Sequence, residues 1–148
     1  MFHFEGVESY PVSPPALYPK LCDAGFLARC LPDAEVVDAT MDRAEWKMKP
    51  KLSFLTGSLD TTLAVTGRVP GESATFRIHG KTIGAASVTV ATLVLRPAVG
   101  GGTALHWTAD ITDRTGLLKM VPAGLIQSAA QKVISDVWAA LRPRLIET

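Results

Sequence analysis

GLLKMVPAGLIQSAAQKVISDVWAALRPRL, from Gly116 to Leu145, decides how the rest of the chain must fold. Its apolar residues step by three or four: Leu118, Val121, Leu125, Ala129, Val133, Val137 and Leu141. Beside them runs a second row, Ile126, Ala130, Ile134 and Trp138. The stripe so formed is wider than a coiled-coil seam, and Gln127, Ser128, Gln131, Lys132, Ser135 and Asp136 cover the rest. Pro122 suits a first helical turn, where a missing N–H costs nothing. Pro143 should end the pattern. The spacing predicts one helix over about Val121 to Arg142, roughly 30 Å long at its rise per residue. A helix this apolar needs a broad partner surface, which the preceding residues must supply as strands.

Period-two alternation fills most of that preceding chain. Phe2 to Tyr10 reads as a first strand, broken by Val12-Ser13-Pro14-Pro15. Serine before prolines marks a helix start, so Ala16 to Leu21 reads as a short helix; Asp23 is placed to cap a second, Ala24 to Cys30. Glu35 to Ala39 is a short strand. Glu45 to Leu55 sets Trp46, Met48, Leu52 and Phe54 against Glu45, Lys47, Lys49 and Lys51, with Pro50 implying an edge position or a bulge. Leu59–Thr66, the stretch around Ala74, Phe76 and Ile78, Ala85–Leu95 and Thr103–Thr112 follow, separated by turn signals such as RVPGE and PAVGGG. Strands joined by short turns form an antiparallel meander that curves and buries one face. The long helix is the element able to fill its concave side. One strand, two short helices, six strands and a long helix is the order of the α+β helix-grip fold, here in a single domain over residues 1–148 with about seven strands.

Composition narrows the function. The 148 residues carry a net charge of +1, with 47% hydrophobic and 20% charged residues. A nucleic-acid binder needs a basic face, so that class is excluded. No apolar run reaches transmembrane length. The start, MFHFEGVESY, lacks the regions of a signal peptide, so a cytoplasmic location is expected. Cys22 and Cys30 read as small core thiols, since no His or further Cys stands at ligand spacing.

The search for chemistry finds more absences than motifs. No H-E-x-x-H, C-x-x-C or G-x-S-x-G pattern occurs, so neither a metal nor another cofactor is expected. Gly100-Gly101-Gly102 has no helix behind it and reads as a hairpin turn rather than a phosphate loop. His79 and His106 fall on the outer sheet face by alternation. An enzyme would need Arg77, His106 or Asp110 turned inward. Inward residues are instead Trp46, Met48, Phe54, Leu63, Phe76, Ile78, Leu105 and Trp107, facing Leu118, Leu125, Ala129 and Val133. Such a set is either a filled core or the wall of an apolar pocket. Small Ala129 and Ala130 in mid-helix, with Ala85, Ala91 and Ala109 on the sheet, favour a pocket beneath that turn, its mouth near Gly116 to Pro122. The basic row Arg43, Lys47, Lys49 and Lys51 is a solvated face or, functionally, a docking surface for an acidic partner or an anionic membrane.

Several pieces together resemble the G-subunit family of carbon monoxide dehydrogenase, within the START-like, polyketide-cyclase-like (SRPBCC) superfamily. They are Glu5-Gly6, Pro14-Pro15 with Leu21 and Asp23, Leu27-Ala28-Arg29-Cys30-Leu31-Pro32, and Gly84 with Ala86-Ser87. Gly102-Thr103-Ala104-Leu105-His106-Trp107, Ala109-Asp110, Gly116-Leu117 and Leu125-Ile126 complete the set. The resemblance implies a binding fold with an apolar cavity for a small molecule or lipid. It also implies an accessory role, in maturation or recruitment, beside a molybdenum hydroxylase, a molybdenum-containing dehydrogenase. It carries over no catalytic residues. Asp33 stands where the family more often has glycine, and Lys119 and Pro122 where it tends to be small and apolar. Some members reach the membrane through a tail; this chain stops at Thr148, which speaks against membrane recruitment. The alternatives are a cyclase- or hydrolase-like enzyme in the same cavity, and a protein–protein adaptor using the basic strand face.

Overall fold

The structure, a computed structural model, describes residues 2–49 and 57–147. Chain order is β1 (Phe2–Tyr10), α1 (Pro14–Leu21), α2 (Ala24–Cys30), β2 (Glu35–Ala39), β3 (Arg43–Met48), β4 (Leu59–Val69), β5 (Ser73–Thr82), β6 (Ala85–Pro97) and β7 (Thr103–Gly116). A single 3₁₀ turn, Leu117–Lys119, then leads into α3, Ala123–Leu145. The described strands form one antiparallel sheet in the order β1-β7-β6-β5-β4-β3-β2. This is the expected helix-grip architecture: β2 to β7 form the meander, and β1 returns across α1 and α2 to pair with β7.

Local chemistry accounts for the joints. Asp23 accepts a hydrogen bond from the Phe26 N–H at 3.1 Å and so starts α2. Ser13 precedes a proline-led first turn in α1 without a side-chain cap bond. Gly116 has φ +62°, and a Cβ there would run into the Gly84 carbonyl, so only glycine lets β7 turn away at this point. Cys22 and Cys30 are buried free thiols, and Arg68 Nε donates to Cys22 Sγ at 3.1 Å. Burial pushes the Cys30 thiol above its ordinary value. The Tyr18 hydroxyl, pushed up to about 12 chiefly by burial, donates to the Ser73 carbonyl at 2.8 Å and ties α1 to the sheet.

Four expectations need correction. The long helix starts after Pro122 and runs through Pro143 to Leu145. Proline's lost N–H is tolerated in this exposed last turn because continuing the helix buries Leu145 completely (0% exposed). Its inward row is Ile126, Ala130, Ile134 and Trp138, while Leu125 (51% exposed) and Val133 (47%) lie to the side. That rotation places the largest side chain, Trp138, against Trp107, with ring centroids 6.2 Å apart. Third, β3 starts at Arg43 rather than Glu45 and ends at Met48, with β2 paired on its outer side; Pro50, read as marking an edge position or a bulge, and the rest of the expected strand lie outside the described residues. Finally, β7 continues past Thr112 to Gly116 through a bulge, opposite Val88 and Thr89.

The main core gathers where α1, α2 and the end of α3 meet the sheet, around Leu17, Leu21, Ala24, Ala28, Leu105 and Leu145. Ala85, Leu118 and Ile126 form a second, smaller cluster at the other end of α3. Between the two clusters the helix and sheet stand apart.

Candidate functional site

That separation encloses a cavity of about 430 Å³. Alternation in the strands aims Phe4, Trp46, Leu63, Phe76, Ile78, Ala91, Leu93 and Trp107 into it, and α3 contributes Ala129, Ala130, Ile134 and Val137. Ligand pockets have such volumes and such apolar walls. Of the twelve residues expected inside, Trp46, Met48, Leu63, Phe76, Ile78, Trp107, Leu118, Ala129 and Val133 line the space. Leu105 does not: it is fully buried (0% exposed) in the main core beyond the cavity. Leu125 does not either, because the rotation of α3 turns it toward solvent. Phe54 lies outside the described residues.

The two ends of the cavity differ. At one end, Leu21, Leu27, Leu31, Leu93 and Leu141 make a wholly apolar wall. Here Trp107, Ile134 and Trp138 also border a polar surface cleft of about 350 Å³ that holds Glu8, Gln131, Ser135 and Arg142. The tryptophan pair thus separates the cavity from that cleft. At the other end, residues at one level of the sheet stand in register: Trp46 beside Thr61, Thr61 beside Gly80, Gly80 beside Ser87 and Ser87 beside Arg114. All line the cavity. Arg114 is the charged side chain among the described lining residues. Around this end, Ile83 (91% exposed), Met120 (81%), Leu117 and Leu125 leave large apolar groups in solvent. The 3₁₀ turn packs with Ala85 and Ile126 and not against Trp107, so the segment beside Gly116–Pro122 does not close on the tryptophan.

Arg114, Thr61 and Ser87 were missed by sequence reading. Arg114 faces inward only because the bulge spends an extra residue between Ile111 and Arg114, which shifts the alternation by one. Thr61 and Ser87 could have been found by strict alternation from Leu63 and Ala85. Two lining tryptophans, Trp46 and Trp107, hold their indole N–H groups sealed from solvent and without a hydrogen-bond partner. Trp107 lies flat over Gly6, where any Cβ would sit within 2.9 Å of Nε1.

Residues that enzyme chemistry would have needed inside are elsewhere. Arg77 and His106 are exposed on the outer sheet face, and Arg77 Nε donates to His79 Nε2 at 3.1 Å. Asp110 pairs with His3 on that face at 2.5 Å, and His3 Nε2 meets Glu5 at 2.9 Å. Hydrogen bonds to Glu5 and Asp110 raise the His3 imidazole above its ordinary value, and His3 in turn lowers Glu5. Among the described residues no group of three or more His, Cys, Asp or Glu could hold a metal. The basic row is not uniformly basic: register places Lys47 between Glu35 and Asp60, and Asp60 beside Lys81. Among the described residues no helix is long and apolar enough to cross a membrane.

Comparison with known proteins agrees with this geometry. The family model of the carbon monoxide dehydrogenase G subunit (CoxG) matches residues 6–146. No curated protein matches the sequence. Among solved structures, a conserved protein from Geobacillus kaustophilus superposes with a TM-score of 0.82 at 16% identity, covering 97% of this chain and 95% of that one. A protein from Chromobacterium violaceum gives 0.69 at 14% identity, with 99% of each chain covered. A START superfamily protein from Mycobacterium smegmatis gives 0.68 at 11% identity, covering 97% and 96%. At these identities the likeness speaks for the fold alone.

Proposed function

The chain belongs to the carbon monoxide dehydrogenase G-subunit (CoxG) family, and from that premise we propose that it binds an apolar or lipid-like small molecule between the sheet and α3. We further propose that it does so as an accessory factor, in maturation or recruitment, of a molybdenum-containing carbon monoxide dehydrogenase-like enzyme. The observation that carries the first part is the cavity of about 430 Å³ walled by apolar side chains. A filled core would close such a space, because interior side chains pack to crystal density and each unfilled void forfeits dispersion contacts. A bound apolar molecule restores those contacts and removes its own surface from water, at about 25 cal/mol per Å². The second part is supported by the family description.

The experiment is native mass spectrometry and solvent extraction of the freshly purified protein, followed by titration of the delipidated chain with a fluorescent apolar probe. Expected results are a co-purifying apolar molecule and saturable probe binding. Binding should raise stability by mass action, about 2.7 kcal/mol at one hundred times Kd. An empty protein that binds no apolar probe would sink the reading. For the accessory role, co-purification with a molybdenum hydroxylase from cells expressing both is expected, and its failure removes that part alone.

A further inference from the structure

The cavity wall is not uniform, and its polar groups share one chemical character. Thr61 is more than nine-tenths buried (7% exposed), lines the cavity, and has a hydroxyl that no described residue hydrogen-bonds. Ser87 is likewise unpartnered among the described residues. Its Oγ leans over Gly80, 3.2 Å from where a Cβ at that glycine would sit. The missing side chain of Gly80 therefore puts the Thr61 and Ser87 hydroxyls on one open floor. Next in the same row stands Arg114. Its guanidinium stacks on Phe2 at 4.8 Å and donates through Nη1 to the Leu118 carbonyl at 3.1 Å. These two contacts fix its position and leave most of its N–H donors unused. It makes no ion pair with any described residue. A cation without a counter-charge, with the Ser87 hydroxyl on the neighbouring strand, asks for an acceptor that carries negative charge. From Ser87 the wall runs along β6 to Leu93, about 20 Å at the rise of a strand. It ends among Leu21, Leu27 and Leu141, where no described lining residue is charged.

We propose that the cavity takes a long-chain carboxylate, its head at Arg114 and Ser87 and its chain directed toward Leu21, Leu93 and Leu141. This rests on the reading of the cavity as a ligand site. The carboxylate accepts from the guanidinium and from the Ser87 hydroxyl, and the far end, without a charged side chain among the described residues, dictates a single orientation. A neutral amphiphile of equal length fills the same volume but leaves Arg114 without its charge partner.

The test uses the delipidated full chain and palmitate against methyl palmitate, each competing with a fluorescent fatty acid. Palmitate should compete at least about tenfold better, the ratio expected for a charge-assisted hydrogen bond. Arg114→Gln should erase that preference and Arg114→Lys should keep most of it. Because Arg114 also braces the 3₁₀ turn, Ser87→Ala supplies a second reading; it should weaken the acid several-fold more than the ester. Orientation is read by tryptophan quenching. Bromine on the terminal carbon should quench Trp107 and Trp138, whereas bromine beside the carboxyl should quench Trp46, the signal that Trp46→Phe removes. Equal competition by acid and ester, or the reverse quenching pattern, overturns the proposal while the cavity remains a ligand site. If neither molecule competes and no apolar probe binds, the cavity reading itself fails.

Discussion

Replacing Ala130 by leucine should stabilise the ligand-free protein, the opposite of what enlarging a core residue normally does. Ala130 is half-buried on the inward row of α3 and borders the cavity. Leucine adds three carbons that find empty space. At about 0.8 kcal/mol per buried CH₂ the gross gain is about 2.4 kcal/mol. Side-chain ordering takes back about 0.5–1 kcal/mol, and the helix propensities of the two residues are close. The expected net gain is about 1.5 kcal/mol, a rise in Tm of roughly 3–6 °C for a chain of this size. The comparison is Ala28→Leu. Ala28 is fully buried (0% exposed) in the main core away from the cavity, so overpacking there should cost about 1–3 kcal/mol. Urea unfolding of the delipidated variants measures both. The Ala130 variant should also bind the fluorescent apolar probe more weakly, because the added side chain occupies ligand volume. A loss of about 1 kcal/mol or more in Ala130→Leu, with probe binding intact, would refute the claim that sheet and helix stand apart at this turn.

Three further outcomes follow from particular contacts. Tyr10 is buried with an unpartnered hydroxyl and a pKa pushed up to about 12 by burial; Tyr10→Phe should match or exceed wild-type stability in urea, by up to about 1–3 kcal/mol. NMR titration should place His3 above 6.5 and Glu5 below 4.5. The His3 contribution is present below its unfolded value and is lost as pH rises through the folded one. The Glu5 contribution is present above its unfolded value and is lost as pH falls through the folded one. Asp110→Asn should bring the His3 value back toward normal, and an unmoved His3 would argue that the pair does not form in solution. Gly116→Ala should cost about 1–3 kcal/mol through backbone strain alone, more with the Gly84 collision, read as a drop in Tm.

Most of the fold was legible because its strands alternate cleanly and its last helix carries a wide apolar stripe. The resemblance across Leu27 to Pro32 and Gly102 to Trp107 pointed to the family that the model match over residues 6–146 shows. What escaped reading depended on a count of one. Two apolar rows lay side by side on α3, and periodicity alone could not choose between them; the stacking of Trp138 on Trp107 did. Thr-Asp-Arg-Thr after Ile111 read as the end of a strand, because an unpaired extra residue leaves no mark in composition. Leu105 alternates like a pocket residue, yet it sits where the cavity has already closed into core. The aliphatic wall was therefore readable, and its polar end was not.

Asp113 and Arg114 are neighbours of opposite sign, and the bulge between Ile111 and Arg114 determines which of them the interior sees. If β7 were straight with the same residues, Asp113 would stand beside Ser87 and Arg114 would face solvent. The electrical sign of the chamber is thus a matter of phase rather than of composition. A one-residue slip would invert it without any change of amino acid. Deleting Thr112, by contrast, would straighten the ladder and keep the arginine inside. The phase of one strand at one point therefore sets the charge that lines the chamber, while every other wall residue stays the same.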